Sequence, residues 1–110
     1  MDNISYDDFV KSDIRVGIIT GANSINKSEK LLHLQVNLGP EIGSRFIVAG
    51  IAKSYSIDEL INKRILVVVN MVPRKMMGIE SHGMLLAAQK VDGTVVLATC
   101  PDVEPGSQLG

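Results

Sequence analysis

A chain of 110 residues and 11.9 kDa, 45% hydrophobic and 21% charged, is long enough for one packed core, too short for two, and unlike a disordered chain. No apolar run approaches the roughly 18 residues of a membrane span, and the acidic N-terminus lacks the basic-then-apolar pattern of a secretion signal, so a cytoplasmic protein is expected. The net charge of −1 conceals an uneven distribution: Met1–Asp13 and Val91–Gly110 each sum to −3, whereas Ile14–Lys90 holds ten bases against five acids, a pattern that suits an anionic partner met by one face.

Tyr6 and Phe9 are expected to pack an N-terminal turn. Ile14, Val16 and Ile18 alternate with Arg15 and Gly17 and predict a first strand. Leu32, Leu34, Val36 and Leu38 alternate with His33, Gln35 and Asn37, the period of a strand with one buried face. Leu38–Gly43 reads as a turn and Arg45–Ala49 as the return strand of a hairpin. Ser56-Ile57-Asp58-Glu59 matches a capping box and predicts a short helix to about Ile61. The continuous run Ile65–Val69 predicts a strand covered on both faces. Gly83–Gln89 is read as a strand, and Asp92-Gly93 predicts a hairpin that pairs Val95–Ala98 back onto it. Pro101–Gly110 reads as an irregular extension. About six strands with one short helix between the third and fourth predict an all-β fold: a five-stranded barrel of the OB type with terminal extensions.

The single cysteine, Cys100, excludes an internal disulfide and is expected to be a buried thiol. His33, His82 and Cys100 share no metal-ligand spacing, and no nucleotide-binding fingerprint occurs, so neither metal nor cofactor is expected. Ser81 and His82, as neighbours on an extended chain, point apart and do not form a nucleophile and base pair. What stands out is Asn70–Met84, NMVPRKMMGIESHGM, which gathers Arg74, Lys75, methionines and glycines into one loop region after the central strand. Arg74 and Lys75 are paired donors for phosphates, or the charges of a solvated turn. Lys27, Lys30, Arg45 and Lys53 flank the same region. With only Tyr6, Phe9, Phe46 and Tyr55 as aromatics, base stacking is poorly supplied, and recognition of structured RNA by shape and backbone is the better fit.

The motifs Tyr6-Asp7-Asp8-Phe9-Val10-Lys11, Asp13-Ile14-Arg15-Val16-Gly17, Lys30-Leu31-Leu32-His33-Leu34-Gln35-Val36, Ala49-Gly50-Ile51-Ala52, Pro73-Arg74-Lys75-Met76-Met77-Gly78, Ser81-His82-Gly83-Met84 and Pro105-Gly106-Ser107 follow in order over nearly the whole chain. Through them the chain resembles the tRNA-binding domain family: free-standing tRNA-binding proteins, the C-terminal domain or small subunit of methionyl-tRNA synthetases, and the export chaperone CsaA. The resemblance implies a non-catalytic OB-fold homodimer, joined through its terminal segments. It would grip the outside corner of tRNA by shape and help a synthetase, methionyl-tRNA synthetase among the partners, retain it. By motif it assigns tRNA contacts to Lys30, Asn70, Arg74, Lys75, Ser81 and Met84, with Arg45 added on charge alone. Lys30, Arg74 and Lys75 would meet phosphates and Met84 a sugar or base; Asn70 and Ser81 would bond the RNA backbone or shape the loop. Ser81 and Met84 equally suit a structural role that closes the loop on the barrel. The alternative is the CsaA branch, which would bind unfolded precursor polypeptides. The segments at Lys30–Leu32 and Ser81–Met84 look like the tRNA-binding branch, and the initial Met1 suggests an independent product.

Overall fold

The computed structural model describes residues 1–110. The first half of the chain holds α1 (Tyr6–Phe9), β1 (Ile14–Ser24), β2 (Leu32–Asn37), α2 (Gly39–Ile42), β3 (Ser44–Ala49) and α3 (Ile57–Leu60). The second half holds seven strands: β4 (Arg64–Val68), β5 (Arg74–Met76), β6 (Ile79–Ser81), β7 (Met84–Leu85), β8 (Ala87–Gln89), β9 (Val95–Leu97) and β10 (Gln108–Leu109). No helix is long and apolar enough to cross a membrane.

Strand β1 is the spine. A register shift between Ile19 and Gly21 bends it, and bulges of this kind let one long strand turn a barrel corner. Its first half pairs antiparallel with β4, from Ile14↔Val68 to Ile18↔Arg64, and its second half with β2, from Ile18↔Asn37 to Ser24↔Leu32. Strand β3 extends β2, and β7 extends β4, so the order is β3-β2-β1-β4-β7, with β10 also paired to β1. This is the expected five-stranded barrel of OB type. It closes where β3 meets the chain at Ser81–His82: the Val48 amide donates to Ser81 Oγ at 2.9 Å and the His82 amide to the Phe46 carbonyl at 2.9 Å.

The alternation read in β2 holds, with Leu32, Leu34 and Val36 buried in the barrel and His33, Gln35 and Asn37 outside. Ile65, Val67, Val68 and Val69 are buried as the unbroken apolar run requires. Helix α3 starts with the expected capping box: Ser56 Oγ accepts the Glu59 amide at 3.4 Å, and Glu59 Oε1 accepts the Ser56 amide at 2.9 Å. The bond from the Ser56 amide is the main reason the Glu59 carboxyl titrates below its ordinary range. The helix drops Leu60 into the core, where it is fully buried. The Asp92-Gly93 hairpin also forms, pairing Ala87↔Leu97 to Gln89↔Val95, and the amide of Thr94 holds the Asp92 carboxyl low.

Several expectations are corrected. There are three one-turn helices, not one. Leu38–Gly43 is helical at Gly39–Ile42 because Pro40 sits in the first turn, where its missing amide costs nothing, and Asn37 Oδ1 accepts the Gly39 amide at 2.9 Å. Helix α1 is capped by Ser5, whose Oγ accepts the Asp8 amide at 3.0 Å. It buries nothing: Tyr6 is 78% and Phe9 40% exposed rather than packed. The Gly83–Gln89 strand is broken after Leu85, and Asn70–Met84 is not an open loop but carries the hairpin β5–β6. Cys100 is only partly buried.

The tail is part of the barrel. Gly106 donates to the Val16 carbonyl at 2.7 Å, and Val16 donates to the Ser107 carbonyl at 2.9 Å. The approach is so close that a Cβ on Gly39 would stand 2.6 Å from the Pro105 carbonyl oxygen. Gly39 and Gly43 both have positive φ, but nothing lies within 4 Å of a Cβ on Gly43. In urea unfolding, Gly43→Ala is expected to lose about 1–3 kcal/mol, because φ 81° with ψ −158° is a conformation that essentially only glycine adopts. Gly39→Ala is expected to lose a further 1–3 kcal/mol or so for overpacking. Equal losses would show that the tail does not press on α2.

Candidate nucleic-acid interface

Hairpin β5–β6 determines how the basic segment is presented. Its register is Arg74↔Ser81, Lys75↔Glu80 and Met76↔Ile79, and its two turn residues, Met77 and Gly78, have φ of 53° and 77°. Two positive φ values make a type I′ turn, whose twist matches that of the strands. Because side chains alternate along a strand, Arg74 and Met76 share one face and Lys75 takes the other, opposite Glu80. Arg74 Nη2 lies 4.0 Å from Met76 Sδ on that shared face. The adjacent cations are therefore two separate contacts and not a single clamp.

The Arg74 face looks onto a shallow cleft of about 180 Å³, floored by Val48, Ala49 and Gly50 and walled by Met76, Gly83, Met84 and Leu85. Its volume is below the ~300–1,000 Å³ of pockets that enclose a small molecule, so it suits an extended surface ligand. At the hairpin tip Met77 meets the β1–β2 loop, Lys27–Leu31, in a second, wider depression. Leu31 and Gly50 link the two, since a Cβ on Gly50 would lie 4.0 Å from Leu31 Cδ2. The Lys30 carbonyl accepts the Ala52 amide at 3.0 Å, which brings the loop carrying Lys53 alongside. Lys27 and Lys30, with Glu29 between them, line the wider depression and Arg74 the cleft, all of them exposed, and Lys53 is exposed on the neighbouring loop. Met84 is placed on the cleft wall by the Val68↔Met84 pair and is 38% exposed.

Three of the residues singled out in the sequence face elsewhere. Ser81 is 3% exposed, and its hydroxyl accepts from Val48 and donates to the Gly83 carbonyl at 3.5 Å, so it sits in the seam that sets the cleft floor. Asn70 holds the N-terminal segment, accepting the Asp13 amide at 2.9 Å and donating to the Lys11 carbonyl at 2.6 Å. Arg45 donates to the Val69 carbonyl and borders a different cleft with Ser44, Phe46, Glu80 and His82. Sequence reasoning missed the exposure of Phe46. The only signal was its phase in Arg45-Phe46-Ile47-Val48, where either alternate set is apolar enough to face the core.

A small five-stranded antiparallel barrel that takes Leu60 of one short helix into its core and carries cations and methionines on adjoining loops defines the class of OB-type nucleic-acid-binding barrels. Within that class the chain belongs to the tRNA-binding domain family, which it matches over residues 14–108. It is 42% identical to the methionine–tRNA ligase of Porphyromonas gingivalis over 109 residues, 98% of this chain and 16% of that protein. The methionine–tRNA ligase of Archaeoglobus fulgidus is 44% identical over 98% of this chain and 16% of its own length. The chain therefore spans about one sixth of these curated relatives. Among solved structures, a methionyl-tRNA-synthetase-related protein from Pyrococcus horikoshii superposes with a TM-score of 0.92 at 37% identity, each chain covered completely. The CsaA chaperone of Picrophilus torridus gives 0.91 at 38% identity, over 98% of this chain and all of that one.

The seam makes a direct prediction. Ser81→Ala strands the Val48 amide inside the barrel, and unfolding free energy should fall by about 1–3 kcal/mol. Hydrogen exchange at Val48 should accelerate along with it. Unchanged stability and unchanged exchange would show that closure does not depend on the hydroxyl.

Proposed function

We propose that the chain is a non-catalytic tRNA-binding module that grips the outside corner of folded tRNA by shape and phosphate contacts. It acts alone or as an accessory to methionyl-tRNA synthetase in the cytoplasm. The observation that carries this reading is the pair of adjoining depressions, one lined by Lys27, Glu29, Lys30 and Met77 and the other by Arg74, Met76 and Met84. Lys30 and Arg74 contact phosphates there, Lys75 reaches a separate phosphate from the far face of the hairpin, and Met84 packs against a sugar. Asn70 and Ser81 act from behind, fixing the N-terminal segment and the cleft floor, and Arg45 holds the start of the hairpin loop through Val69.

The active unit in this reading is a homodimer. Tyr6, Phe9 and Val10 are exposed beside Gln108 and Leu109, in a depression at the edge of the six-stranded sheet. An apolar patch next to a short edge strand suits a second copy of the same surface. A second reading has one observation in its favour: Met77 and Met84 are exposed, and adaptable methionine surfaces suit varied apolar segments, as in a CsaA-like chaperone for unfolded precursor polypeptides.

Titration against folded tRNA, an unstructured RNA of equal length and an unfolded polypeptide, at two salt concentrations, separates the two readings. Folded tRNA should bind best, with steep salt dependence; preference for the polypeptide with little response to salt would favour the chaperone. Lys30→Ala and Arg74→Ala should each reduce the salt slope by about one without loss of folding. An unchanged slope for either variant removes that residue from the interface. Phe9→Glu should shift the solution mass from dimer to monomer, and a variant that stays dimeric would defeat the terminal interface.

A further inference from the structure

Asn62, Lys63, Arg64, Thr99 and Pro101 line an open cavity of about 210 Å³ that shares no residue with the two depressions of the basic groove or with the terminal one. It sits where the chain passes from α3 into β4, at the opposite end of β4 from the one that leads into the basic hairpin. Two backbone bonds hold this turn against β1: the Asn62 amide donates to the Ile19 carbonyl at 2.8 Å, and the Ile19 amide to the Lys63 carbonyl at 3.0 Å. The facing wall is fixed by the Ile65↔Thr99 bridge and by the Cys100 amide, which donates to the Arg64 carbonyl at 3.0 Å. Asn62 makes the turn at a φ of 72°, where an asparagine keeps a carboxamide that the more usual glycine would lack.

Each of the four polar side chains of the lining can donate a hydrogen bond, and none is a carboxylate. Lys63 and Arg64 are both half-buried, and neither belongs to an ion pair. Lys63 Nζ lies 5.7 Å from the centroid of the Tyr55 ring, and Arg64 Nε donates to the Val103 carbonyl at 3.0 Å, which fixes the guanidinium and leaves its two terminal nitrogens for another acceptor. The acids nearby are engaged or turned away. Glu59 senses the Lys63 charge, but its carboxylate accepts the Ser56 amide, and Asp102 and Glu104, on either side of Val103, are exposed and line no part of the cavity. Two half-buried cations without a counter-ion have lost hydration that a bound anion restores. A guanidinium, an ammonium, a carboxamide and a hydroxyl facing one space match the several oxygens of a phosphate better than the two of a carboxylate. The volume admits a phosphate group but is below that of pockets that enclose a whole small molecule. We propose that this cavity is a phosphate-binding site separate from the groove, with Lys63 and Arg64 supplying charge and Asn62 and Thr99 neutral hydrogen bonds. The phosphate comes either from an RNA strand that continues past the groove or from free phosphate and its monoesters; only the first source rests on the RNA-binding reading above. The loop from Gly50 to Tyr55 favours RNA, since Gly50 lines the Arg74 cleft, Lys53 is exposed along the way, and Tyr55 lies under Lys63.

Inorganic phosphate, titrated into isotopically labelled protein against chloride at constant ionic strength, should shift the amide resonances of Lys63, Arg64, Thr99 and Cys100 saturably. Lys63→Ala should weaken that response about tenfold, the loss of one charge-assisted contact. Thr99→Glu, which sets a carboxylate in the cavity, should abolish it, whereas Thr99→Gln, of the same length without the charge, should retain it. Equal melting temperatures of the two Thr99 variants keep folding separate from binding. Folded tRNA then distinguishes the sources. If RNA fills the site, Lys63→Ala lowers the salt slope of tRNA binding by about one; an unchanged slope, with the phosphate response intact in the wild type, assigns the site to free phosphate or its monoesters. No saturable shift at these amides, or the same response in Thr99→Glu as in the wild type, would overturn the site. A wild-type chain that binds phosphate here but does not bind tRNA would overturn the RNA-binding reading and leave the site standing.

Discussion

The closure of the barrel through Ser81 is the constraint on which the basic groove depends. A sheet ordered β3-β2-β1-β4-β7 has two free edges, and an open edge leaves backbone groups unpaired. Here the edge amides do not form a full ladder; one buried hydroxyl and one amide bridge the gap, from Val48 to Ser81 and from His82 to Phe46. Gly83 makes the crossing sterically possible, since its φ of 126° is unsuited to other residues and a Cβ there would lie 3.3 Å from both Ile47 and Val67. The seam therefore fixes the β5–β6 hairpin relative to β3, which sets the floor under Arg74 and Met84 on one side and the pose of Phe46 on the other.

The parts of this architecture visible in the sequence are those written in local chemistry. The capping box at Ser56–Glu59, the Asp92-Gly93 turn and the alternation from Leu32 to Leu38 each need only a few neighbouring residues, and each forms as read. The β5–β6 hairpin was not visible, because its turn is Met77-Gly78 rather than an asparagine or aspartate before glycine, and its strands are only three residues long. Strand alternation alone, applied to Arg74 and Lys75, separates their two faces once that hairpin is known. The roles of Asn70 and Ser81 depend on partners 57 and 33 residues away, Asp13 and Val48, and no local pattern encodes such distances. The resemblance marked both positions, while burial and bonding assign them to positioning.

Charge is organised by the same economy of contacts. Arg15 is the cation withdrawn from the surface: it bonds Asp13, Glu41 and the Gly106 carbonyl, and those two carboxylates keep it firmly charged. It thereby ties β1 to α2 and to the tail, in the region where the acidic ends of the chain meet. The cations left exposed on the loops around Met77 have no carboxylate bonded to them. The uneven charge seen along the sequence thus becomes a division of labour: ion pairing consolidates the termini, and unpaired bases remain where an anion can reach them.

Strain at the groove points the same way. Besides Asn62, which tolerates the left-handed region, the non-glycine residues with positive φ are Lys27 at 67° and Met77 at 53°. Each left-handed residue of this type costs roughly 1–2 kcal/mol, yet both stand at the same depression, one from the β1–β2 loop and one from the hairpin tip. A glycine at either position would remove the strain and also remove the side chain. Retaining a lysine and a methionine there holds a charge and an adaptable apolar group side by side at the junction of two loops. Neither is buried, so the core gains nothing from them; at Met77 the positive φ is what the two-residue turn between β5 and β6 requires, and the turn thereby sets the methionine at the hairpin tip.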